Sequence, residues 1–201
     1  MIAVIDYGAG NLYSVKNALD FLGADVKITH DPQEIIAADK VILPGVGAFG
    51  DAMTELEKSG LKEAVYQAAI SEKPFLGVCL GLHLLFEESE ESPGIKGLGV
   101  LKGTVGKIPK TQGLKIPHIG WNCLTFPKES RLFSDIGERP FVYFVHSYYI
   151  KPQDETVVSA YTEYPSPLAV AVEKNNLFAT QFHPEKSGGV GLEILKHFID
   201  L

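Results

Sequence analysis

A cysteine between two glycines is the strongest chemical signal in the sequence, in the run Gly77 to Gly81 (Gly-Val-Cys-Leu-Gly). An apolar run, Phe75 to Val78, leads into it and helical spacing follows it, so the pattern predicts a nucleophile elbow, a sharp turn from a strand into a helix. Both glycines are needed because a Cβ would collide with the neighbouring strand or helix. The unpaired N–H groups at the helix start favour a thiolate at Cys79. The alternative is a small buried thiol, the usual environment of an isolated free cysteine.

A thiolate nucleophile needs a base and a group that orients this base. His183 follows the apolar run Leu177 to Phe182, and Pro184 fixes the backbone between it and Glu185. We therefore expect one imidazole nitrogen to face Cys79 and the other to face Glu185. Taken alone, His183 is equally compatible with a structural histidine at a strand end, whose ring nitrogens form hydrogen bonds with neighbouring residues. The elbow makes a triad of Cys79, His183 and Glu185 the preferred interpretation.

Acyl transfer also needs N–H donors for the developing oxyanion. One candidate is the backbone N–H of Leu80, the residue after the nucleophile. The other candidate lies in Pro44 to Gly47, which follows a strand that should lie beside the elbow strand. Glycine there lets a peptide rotate, so that the N–H of Val46 or Gly47 points into the site.

The same loop matches the dinucleotide-binding pattern G-x-G-x-x-G over Gly45 to Gly50. That interpretation requires the next strand to end in an acidic residue for the ribose, whereas the next strand ends at Val78 and is followed by Cys79. No group of histidines and cysteines has the spacing of zinc ligands. We therefore expect no nucleotide, no other cofactor and no metal.

Strand and helix patterns alternate in the first part of the chain. Apolar runs separate amphipathic stretches, one of which starts after a capping Asn11 and the longest of which reaches about Ser71. This rhythm predicts a parallel sheet covered on both faces. Beyond about Gly94, short alternating runs indicate antiparallel strands, and a final pattern indicates a closing helix. We therefore predict an α/β fold: a doubly wound, mostly parallel mixed sheet with helices on both faces and antiparallel additions in the C-terminal half. The patterns are the runs Ile2 to Ile5, Ala24 to Thr29, Lys40 to Leu43 and Phe75 to Val78, the helical stretch Leu80 to Glu88, the runs Phe141 to Ile150, Thr156 to Tyr161, Ala169 to Val172 and Leu177 to Phe182, and the helix Gly191 to Phe198.

The composition is that of one globular domain, which we expect to span residues 1–201. Of the 201 residues 45% are hydrophobic and 21% are charged, and no repeat or linker divides the chain. A net charge of −7 disfavours nucleic acid as a partner and favours a small neutral or zwitterionic substrate. The chain has two cysteines, no secretory leader pattern and no apolar run near the roughly 20 residues that span a bilayer, so we expect a cytoplasmic protein without a membrane partner.

The triad residues resemble the class I glutamine amidotransferases, whose Cys-His-Glu triad has the order and settings of Cys79, His183 and Glu185. Five segments, which span nearly the whole chain, are similar to the glutaminase subunits of imidazole glycerol phosphate synthases. These segments are Asp6 to Leu12, Pro44 to Gly50, Pro117 to Asn122, Phe144 to Tyr148 and Gln181 to Ser187. Within the family, the first, third and fourth segments are specific to these subunits.

The resemblance implies that Cys79 attacks the side-chain carboxamide of L-glutamine to form a glutamyl thioester and release ammonia. His183 would serve as acid and then base, and Glu185 would orient the imidazole. An obligatory (βα)8-barrel cyclase subunit is implied as the heterodimer partner. It would receive the ammonia through an internal channel and make imidazole glycerol phosphate in histidine biosynthesis. We expect the Gly45 to Gly47 peptide to turn when this partner binds, so that the isolated chain hydrolyses glutamine slowly.

The same resemblance implies further residues that hold substrate or meet the partner. Those expected to hold glutamine are Gly45, His83, Ser147 and Tyr148. Those expected at the partner face or ammonia path are Asn11, Trp121, Tyr143 and Lys186. From the residues alone, Trp121 equally suits a core aromatic, Tyr143 an alternating strand residue and Lys186 a solvated charge. For His118 and His146 we expect structural hydrogen bonds.

His83 departs from the family pattern, which usually has glutamine at this position. The pattern G-M-Q-L-L is replaced by Gly-Leu-His-Leu-Leu at Gly81 to Leu85. A neutral imidazole offers one donor and one acceptor, with a shorter reach than a glutamine amide. Histidine in place of glutamine affects the expected substrate affinity and its pH dependence. It does not change the assignment of Cys79 as the nucleophile.

Two other functions remain open from the sequence. One keeps the fold and changes the partner to a synthase for pyridoxal phosphate, guanylate or anthranilate, and the segments Asp6 to Asn11 and Pro117 to Asn122 argue against it. The other is a non-catalytic redox sensor in which Cys79 is oxidised. The segment His183 to Glu185 argues against a sensor, because oxidation needs no ordered base.

Overall fold

The fold is a central sheet with helices on both faces, and the computed structural model describes all residues, 1–201. The first half of the chain alternates strands and helices: β1 (Ile2–Ile5), α1 (Leu12–Phe21), β2 (Val26–Thr29), α2 (Pro32–Ala37), β3 (Lys40–Leu43), α3 (Phe49–Lys58), α4 (Lys62–Ile70), β4 (Phe75–Val78) and α5 (Leu80–Leu84). The second half is mainly strands: β5 (Glu88–Ser89), β6 (Gly103–Lys107), β7 (His118–Cys123), β8 (Phe141–His146), β9 (Tyr148–Pro152), β10 (Val158–Glu163), β11 (Pro167–Lys174), β12 (Leu177–Thr180) and the helix α6 (Gly188–Asp200). Short 3-10 turns cover Arg131–Phe133, Glu155–Val157 and Pro184–Lys186.

The main sheet has seven strands in the order β10-β11-β12-β4-β3-β1-β2. The strands β12, β4, β3, β1 and β2 run parallel to one another. Strand β11 pairs antiparallel with both β10 and β12. A three-stranded sheet (β5-β6-β9) and a two-stranded sheet (β7-β8) complete the fold. The predicted α/β class, with antiparallel additions in the C-terminal half, is confirmed.

Strand β4 lies between β3 and β12, and this order positions the site. Leu43 of β3 is in register with Gly77, and Val78 is in register with Thr180 of β12. Because parallel strands end at the same edge of a sheet, the segments that follow these three strands leave the sheet side by side. They are the loop after β3, the elbow after β4 and the segment after β12. The strand before Pro44 therefore lies beside the elbow strand, as predicted.

Alternate residues of the central strands pack into two apolar layers. Val41 and Leu43 of β3 belong to a cluster of 32 buried residues that includes side chains of α2, α3, α4 and α5. Ile42 belongs to a second cluster of 23 buried residues, which includes side chains of α1 and α6. Burial on both faces explains why these strands are continuous apolar runs. No helix has the length and apolar character needed to cross a membrane.

Two predicted elements are divided in the structure. The stretch expected to continue as one helix to about Ser71 is two helices, α3 and α4, because Gly60 between them has a φ of +73° that a helix does not allow. The run Phe141 to Ile150 is two strands that separate at Ser147, with β8 paired to β7 and β9 paired to β6. Alternation of apolar residues continues through Ser147, so the pattern did not reveal the change of sheet.

Two helix ends also differ from expectation. Helix α5 ends at Leu84 rather than at Glu88, because Glu88 pairs with Thr104 in the sheet of β5 and β6. Asn11 occupies the N-cap position of α1, but its side chain makes no capping hydrogen bond. The capping role expected for Asn11 is therefore wrong at the level of the side chain.

Candidate active site

Cys79 stands at the sharp turn between β4 and α5. Its backbone has a φ of 55° and a ψ of −105°, a conformation that is strained for a residue with a side chain. Its N–H donates to the Thr180 carbonyl at 2.7 Å. A Cβ at Gly77 would lie 2.9 Å from the Gly81 carbonyl oxygen, and a Cβ at Gly81 would lie 2.0 Å from the Leu43 carbonyl oxygen. The collisions predicted for both glycines are therefore confirmed.

Cys79 and His183 border one cavity with a volume of about 350 Å³. This volume is near the lower end of the range for ligand pockets, so the cavity suits a ligand of amino-acid size. The β3–α3 loop, helix α5 and the junction of β8 with β9 supply most of the remaining wall. The other lining residues are Val46, Gly47, Leu80, His83, Glu91, Pro117, Val145, His146, Ser147 and Tyr148. Among the residues expected to hold substrate, Gly45 does not line the cavity.

His183 is paired with a buried carboxylate. Its Nδ1 lies 2.8 Å from Glu185 Oε1, and both side chains are 2% exposed. Because a carboxylate only accepts, Nδ1 carries a proton, and Nε2 has no hydrogen-bond partner in the protein. Burial disfavours the cation, but interactions with the neighbouring Cys79 and Glu185 outweigh this effect and raise the pKa of His183 to about 9.

Strand β8 anchors the backbone of this base. The His183 N–H donates to the Tyr143 carbonyl at 3.1 Å. The Ser187 hydroxyl donates to the His183 carbonyl at 2.7 Å and accepts from the Tyr143 N–H at 3.0 Å. Pro184 begins a 3-10 turn that brings Glu185 back toward the imidazole ring. The His183 backbone is therefore fixed by a strand outside the main sheet.

The β3–α3 loop is not arranged to bind an oxyanion. The Leu80 N–H donates to the Gly45 carbonyl at 3.4 Å, so one of the two expected donors is already occupied. The N–H groups of Val46 and Gly47 donate to no acceptor in the protein, and Gly47 has a φ of +101°. A Cβ at Gly45 would lie 2.7 Å from Tyr7 Oη, so a side chain does not fit there. A turn of the Gly45–Val46 peptide would release the Leu80 N–H and present a second donor.

Comparison with known proteins identifies the family. The family model described as glutamine amidotransferase class-I matches residues 3–201. The chain belongs to this family. It is 53% identical to the imidazole glycerol phosphate synthase subunit HisH of Moorella thermoacetica, over 100% of this chain and 94% of the relative. It is 50% identical to the subunit HisH of Methanothermobacter thermautotrophicus, over 100% of this chain and 98% of the relative.

A plant relative of this class-I amidotransferase is much longer. The imidazole glycerol phosphate synthase hisHF, chloroplastic, of Arabidopsis thaliana is 46% identical over 99% of this chain and 34% of its own length. Solved structures share the fold at lower identity. One described as a glutamine amidotransferase has a TM-score of 0.77 at 20% identity, covering 100% of this chain and 98% of that one. The structure of PurLQS from Thermotoga maritima has a TM-score of 0.76 at 19% identity, covering 99% of this chain and 97% of that one.

Two further residues lie at the site of this amidotransferase, Gln181 and Glu91, and the sequence alone does not indicate their roles. Gln181 is fully buried; its Oε1 lies 2.6 Å from His83 Nε2, and its Nε2 lies 3.7 Å from Cys79 Sγ. Glu91 borders the cavity, and its Oε2 accepts the Phe49 N–H at 2.8 Å at the start of α3. Gln181 opens the motif Gln181 to Ser187, two residues before His183, which is a sequence signal, whereas Glu91 lies in a loop without a motif.

The residues expected at the partner face of the amidotransferase lie outside the cavity. Trp121 is 55% exposed and pairs with Tyr143 across β7 and β8, with 6.2 Å between ring centroids. Lys186 is exposed in the 3-10 turn after His183, and α1, which begins after Asn11, packs against that turn. Each of the four therefore lies in the 3-10 turn Pro184–Lys186 or on or beside an element that contacts or pairs next to it.

His118 and His146 form a hydrogen-bonded pair between β7 and β8. His146 Nδ1 lies 2.8 Å from the Tyr148 carbonyl oxygen and carries a proton, so its Nε2 accepts from His118 Nδ1 at 2.9 Å. Burial lowers the pKa of His146 to about 3 and that of His118 to about 4. Both rings are neutral and hold the strands together. No group of three or more histidine, cysteine or acidic side chains is arranged to hold a metal ion.

Proposed function

We propose that this amidotransferase is the glutaminase subunit of an imidazole glycerol phosphate synthase. It hydrolyses L-glutamine and passes the ammonia to a partner cyclase in histidine biosynthesis. The observation that carries the proposal is the single cavity bordered by Cys79 and by His183, which Glu185 orients at 2.8 Å. Identities of 53% and 50% to HisH subunits, over at least 94% of their length, support the choice of synthase.

The chemistry uses the triad in two steps. The Cys79 thiolate attacks the carboxamide carbon, so that a carbon–sulfur bond forms and an electron pair moves onto the oxygen. His183 gives its Nε2 proton to the leaving nitrogen, the carbon–nitrogen bond breaks and ammonia leaves. Neutral His183 then takes a proton from water, which attacks the thioester and breaks the carbon–sulfur bond. Glutamine and water thus become glutamate and ammonia, and Glu185 stabilises the imidazolium in both steps.

The substrate is held by the residues around the cavity. His83, Ser147 and Tyr148 border it, and Gly45 contributes through the turn of its peptide. We add Glu91, because an amino-acid substrate brings an ammonium group and a cavity-bordering carboxylate is its natural acceptor. One oxygen of Glu91 is held by the Phe49 N–H, which leaves the other oxygen for the substrate.

The partner is a (βα)8-barrel cyclase that docks on the outer face of β7 and β8 to form a heterodimer. Apolar side chains on this face are exposed: Ile119 by 59%, Phe141 by 56% and Val145 by 37%, beside Trp121. Clustered exposed apolar side chains of this kind mark an interaction surface. Tyr143 of the same sheet holds the His183 backbone, so docking acts directly on the base. The residues at the interface or ammonia path are Asn11, Trp121, Tyr143 and Lys186.

Replacing the nucleophile tests the proposal. Cys79→Ala removes the only atom able to form the thioester, so glutamate production with the cyclase and its ribonucleotide present is expected to fall to the limit of detection. Size-exclusion chromatography should show an intact complex. The matched control is Cys123→Ala, because Cys123 is the other cysteine, half-buried and outside the cavity. Near-normal hydrolysis by Cys79→Ala would remove the mechanism.

The state of the loop predicts a slow free subunit. Because the Gly45 carbonyl occupies the Leu80 N–H, the isolated chain lacks a complete oxyanion site. One such donor is worth about 10²–10³-fold in rate. Addition of the cyclase loaded with its ribonucleotide should raise glutamine turnover by at least about 10²-fold. A rate unchanged by the loaded partner would show that the loop is not the limiting element.

A further inference from the structure

A chain of buried polar side chains ends on the reacting sulfur. His83 Nε2 lies 2.6 Å from Gln181 Oε1, and Gln181 Nε2 lies 3.7 Å from Cys79 Sγ. Gln181 is 0% exposed and His83 is 5% exposed. The Gln181 N–H donates to the Val170 carbonyl of β11 at 2.7 Å, so its backbone is fixed by the main sheet. The carboxamide therefore bridges helix α5 and the nucleophile from a fixed position.

The chemistry of each group sets the direction of both hydrogen bonds. A thiolate only accepts, so the Gln181 amide must turn an N–H toward Cys79. The amide oxygen then faces His83 and requires a proton on its Nε2. Burial lowers the pKa of His83 to about 4 although the bond to Gln181 opposes this, so the ring is neutral near pH 7 and Nδ1 carries no proton. His83 thus offers only an acceptor to a ligand in the cavity.

We propose that His83 is a positioning residue, which holds the Gln181 carboxamide with its N–H toward the Cys79 sulfur and thereby helps keep the nucleophile ionised. Without the His83 donor, the carboxamide is free to turn by 180° and present its oxygen to the sulfur, which is repulsive for a thiolate. The inference deepens the proposed function. It rests on that function only in assuming that the thiolate of Cys79 is the nucleophile. The hydrogen-bond geometry does not depend on the substrate.

Other ionisable groups surround the same sulfur. His183, with Glu185 behind it, supplies the main positive charge. Burial raises the pKa of Tyr7, and Cys79 adds to this effect, so Tyr7 is a neutral phenol. Glu91 and His146 border the same cavity. The test therefore substitutes only His83 and Gln181 and leaves these five ionisable residues unchanged.

The test measures alkylation of Cys79 by iodoacetamide as a function of pH. The full chain carries Cys123→Ser, so that one thiol reacts, and neither glutamine nor the cyclase is added. His83→Met removes the donor at similar side-chain length, whereas His83→Gln keeps an N–H donor in the place of Nε2. Gln181→Met removes the amide. The pH of half-maximal rate reports thiolate formation separately from access of the reagent.

A hydrogen bond to a charged acceptor should shift this midpoint by about one pH unit. We expect Gln181→Met to raise the midpoint by about one unit and His83→Met by about half a unit in the same direction. The midpoint of His83→Gln should stay close to that of the parent, because glutamine keeps the N–H donor. A purely structural role of His83 would not produce this rescue. An unchanged midpoint in folded His83→Met, or a midpoint in His83→Gln raised as far as in His83→Met, would overturn the positioning role.

Folding is checked by circular dichroism for each variant. If Gln181→Met does not fold, the two His83 variants still decide the proposal, because they differ in a donor at one site. Failure of the parent to hydrolyse glutamine with its partner would contradict the proposed function and would leave the alkylation result standing. Failure of the alkylation prediction would leave the glutaminase assignment standing.

Discussion

Among single residues, Glu185 has the most demanding environment. Its side chain is 2% exposed, one oxygen is held by His183 and Oε2 has no partner. A buried carboxylate is costly unless an opposite charge compensates it. The His183 imidazolium supplies that charge, and in return Glu185 helps raise the pKa of His183 to about 9. The Glu185 charge therefore favours the imidazolium form of His183.

Glu185→Gln should separate orientation from charge. The amide keeps the shape of the side chain, but the pKa of His183 should fall from about 9 because a charged partner is lost. A glutamine also offers a donor as well as an acceptor to Nδ1, so the tautomer is no longer fixed. We expect kcat to fall by about 10²–10⁴-fold in the loaded complex, measured as glutamate release.

The control for this substitution is Glu193→Gln, which changes an exposed carboxylate on α6. It should keep the parent kcat. A kcat of Glu185→Gln within about threefold of the parent would show that the carboxylate charge is dispensable, because removal of a triad orienter costs far more elsewhere.

Between elements, α5 makes a close backbone contact with β3 at the site. The Gly81 backbone lies so near the Leu43 carbonyl that a Cβ would come within 2.0 Å of its oxygen. Leu43 in turn pairs with Gly77 in the sheet. The strained turn at Cys79 therefore depends on two glycines that let a helix end approach two strands.

Gly81→Ala should destabilise the protein even though alanine favours helices. The added methyl group meets backbone rather than a flexible side chain, so α5 must move away from β3. We expect a loss of about 3 kcal/mol in the free energy of unfolding by urea. The control is Gly189→Ala in α6, where a Cβ has nothing within 4 Å, and it should be neutral or mildly stabilising. Equal unfolding free energies for the two variants would show that α5 adjusts without cost.

The strands of the main sheet were largely predictable, whereas β5, β6, β7 and the breaks in helices and sheets were not. The runs Lys40 to Leu43 and Phe75 to Val78 match β3 and β4 residue for residue, because strands buried on both faces are continuous apolar segments. The break at Gly60 is not part of the prediction, although Leu56 and Leu61 lie five residues apart and the residues between them, Glu57 to Gly60, are polar or glycine. The change of sheet at Ser147 was missed because it depends on which strands pair, which a local pattern does not record.

Across the whole molecule, the segments of the proposed triad have signals in the sequence, whereas the hydrogen bonds that connect them have none. The elbow around Cys79 and the segment His183 to Glu185 have residue patterns of their own. In contrast, His83 and Gln181 are 98 residues apart, and their hydrogen bond depends on side-chain rotamers. The bond from the Leu80 N–H to the Gly45 carbonyl depends on one peptide orientation, and glycine permits either orientation.

Buried histidines make the stability of the whole protein depend on pH in two directions. Burial lowers the pKa values of His83, His118 and His146 to about 4, 4 and 3. The unfolded chain, with pKa values near 6.5, binds more protons than the folded protein at mildly acidic pH, so stability falls as the pH falls toward 4. His183, with a pKa of about 9, binds more protons when folded, so its contribution is lost as the pH rises from 6.5 through 9.

The free energy of unfolding should therefore be largest near neutral pH. Below about pH 6.5, each neutral buried histidine contributes a slope of up to about 1.4 kcal/mol per pH unit. His83→Gln removes one of these histidines. The unfolding free energy, measured with urea at pH 4.5, 5.5 and 6.5, should therefore change less steeply with pH than in the parent, by up to about 1.4 kcal/mol per pH unit. The control is His30→Gln, which removes an exposed histidine and should retain the parent slope. Equal slopes for His83→Gln and the parent would mean that His83 takes up its proton without unfolding, and the neutral ring that orients Gln181 would then be lost in mild acid.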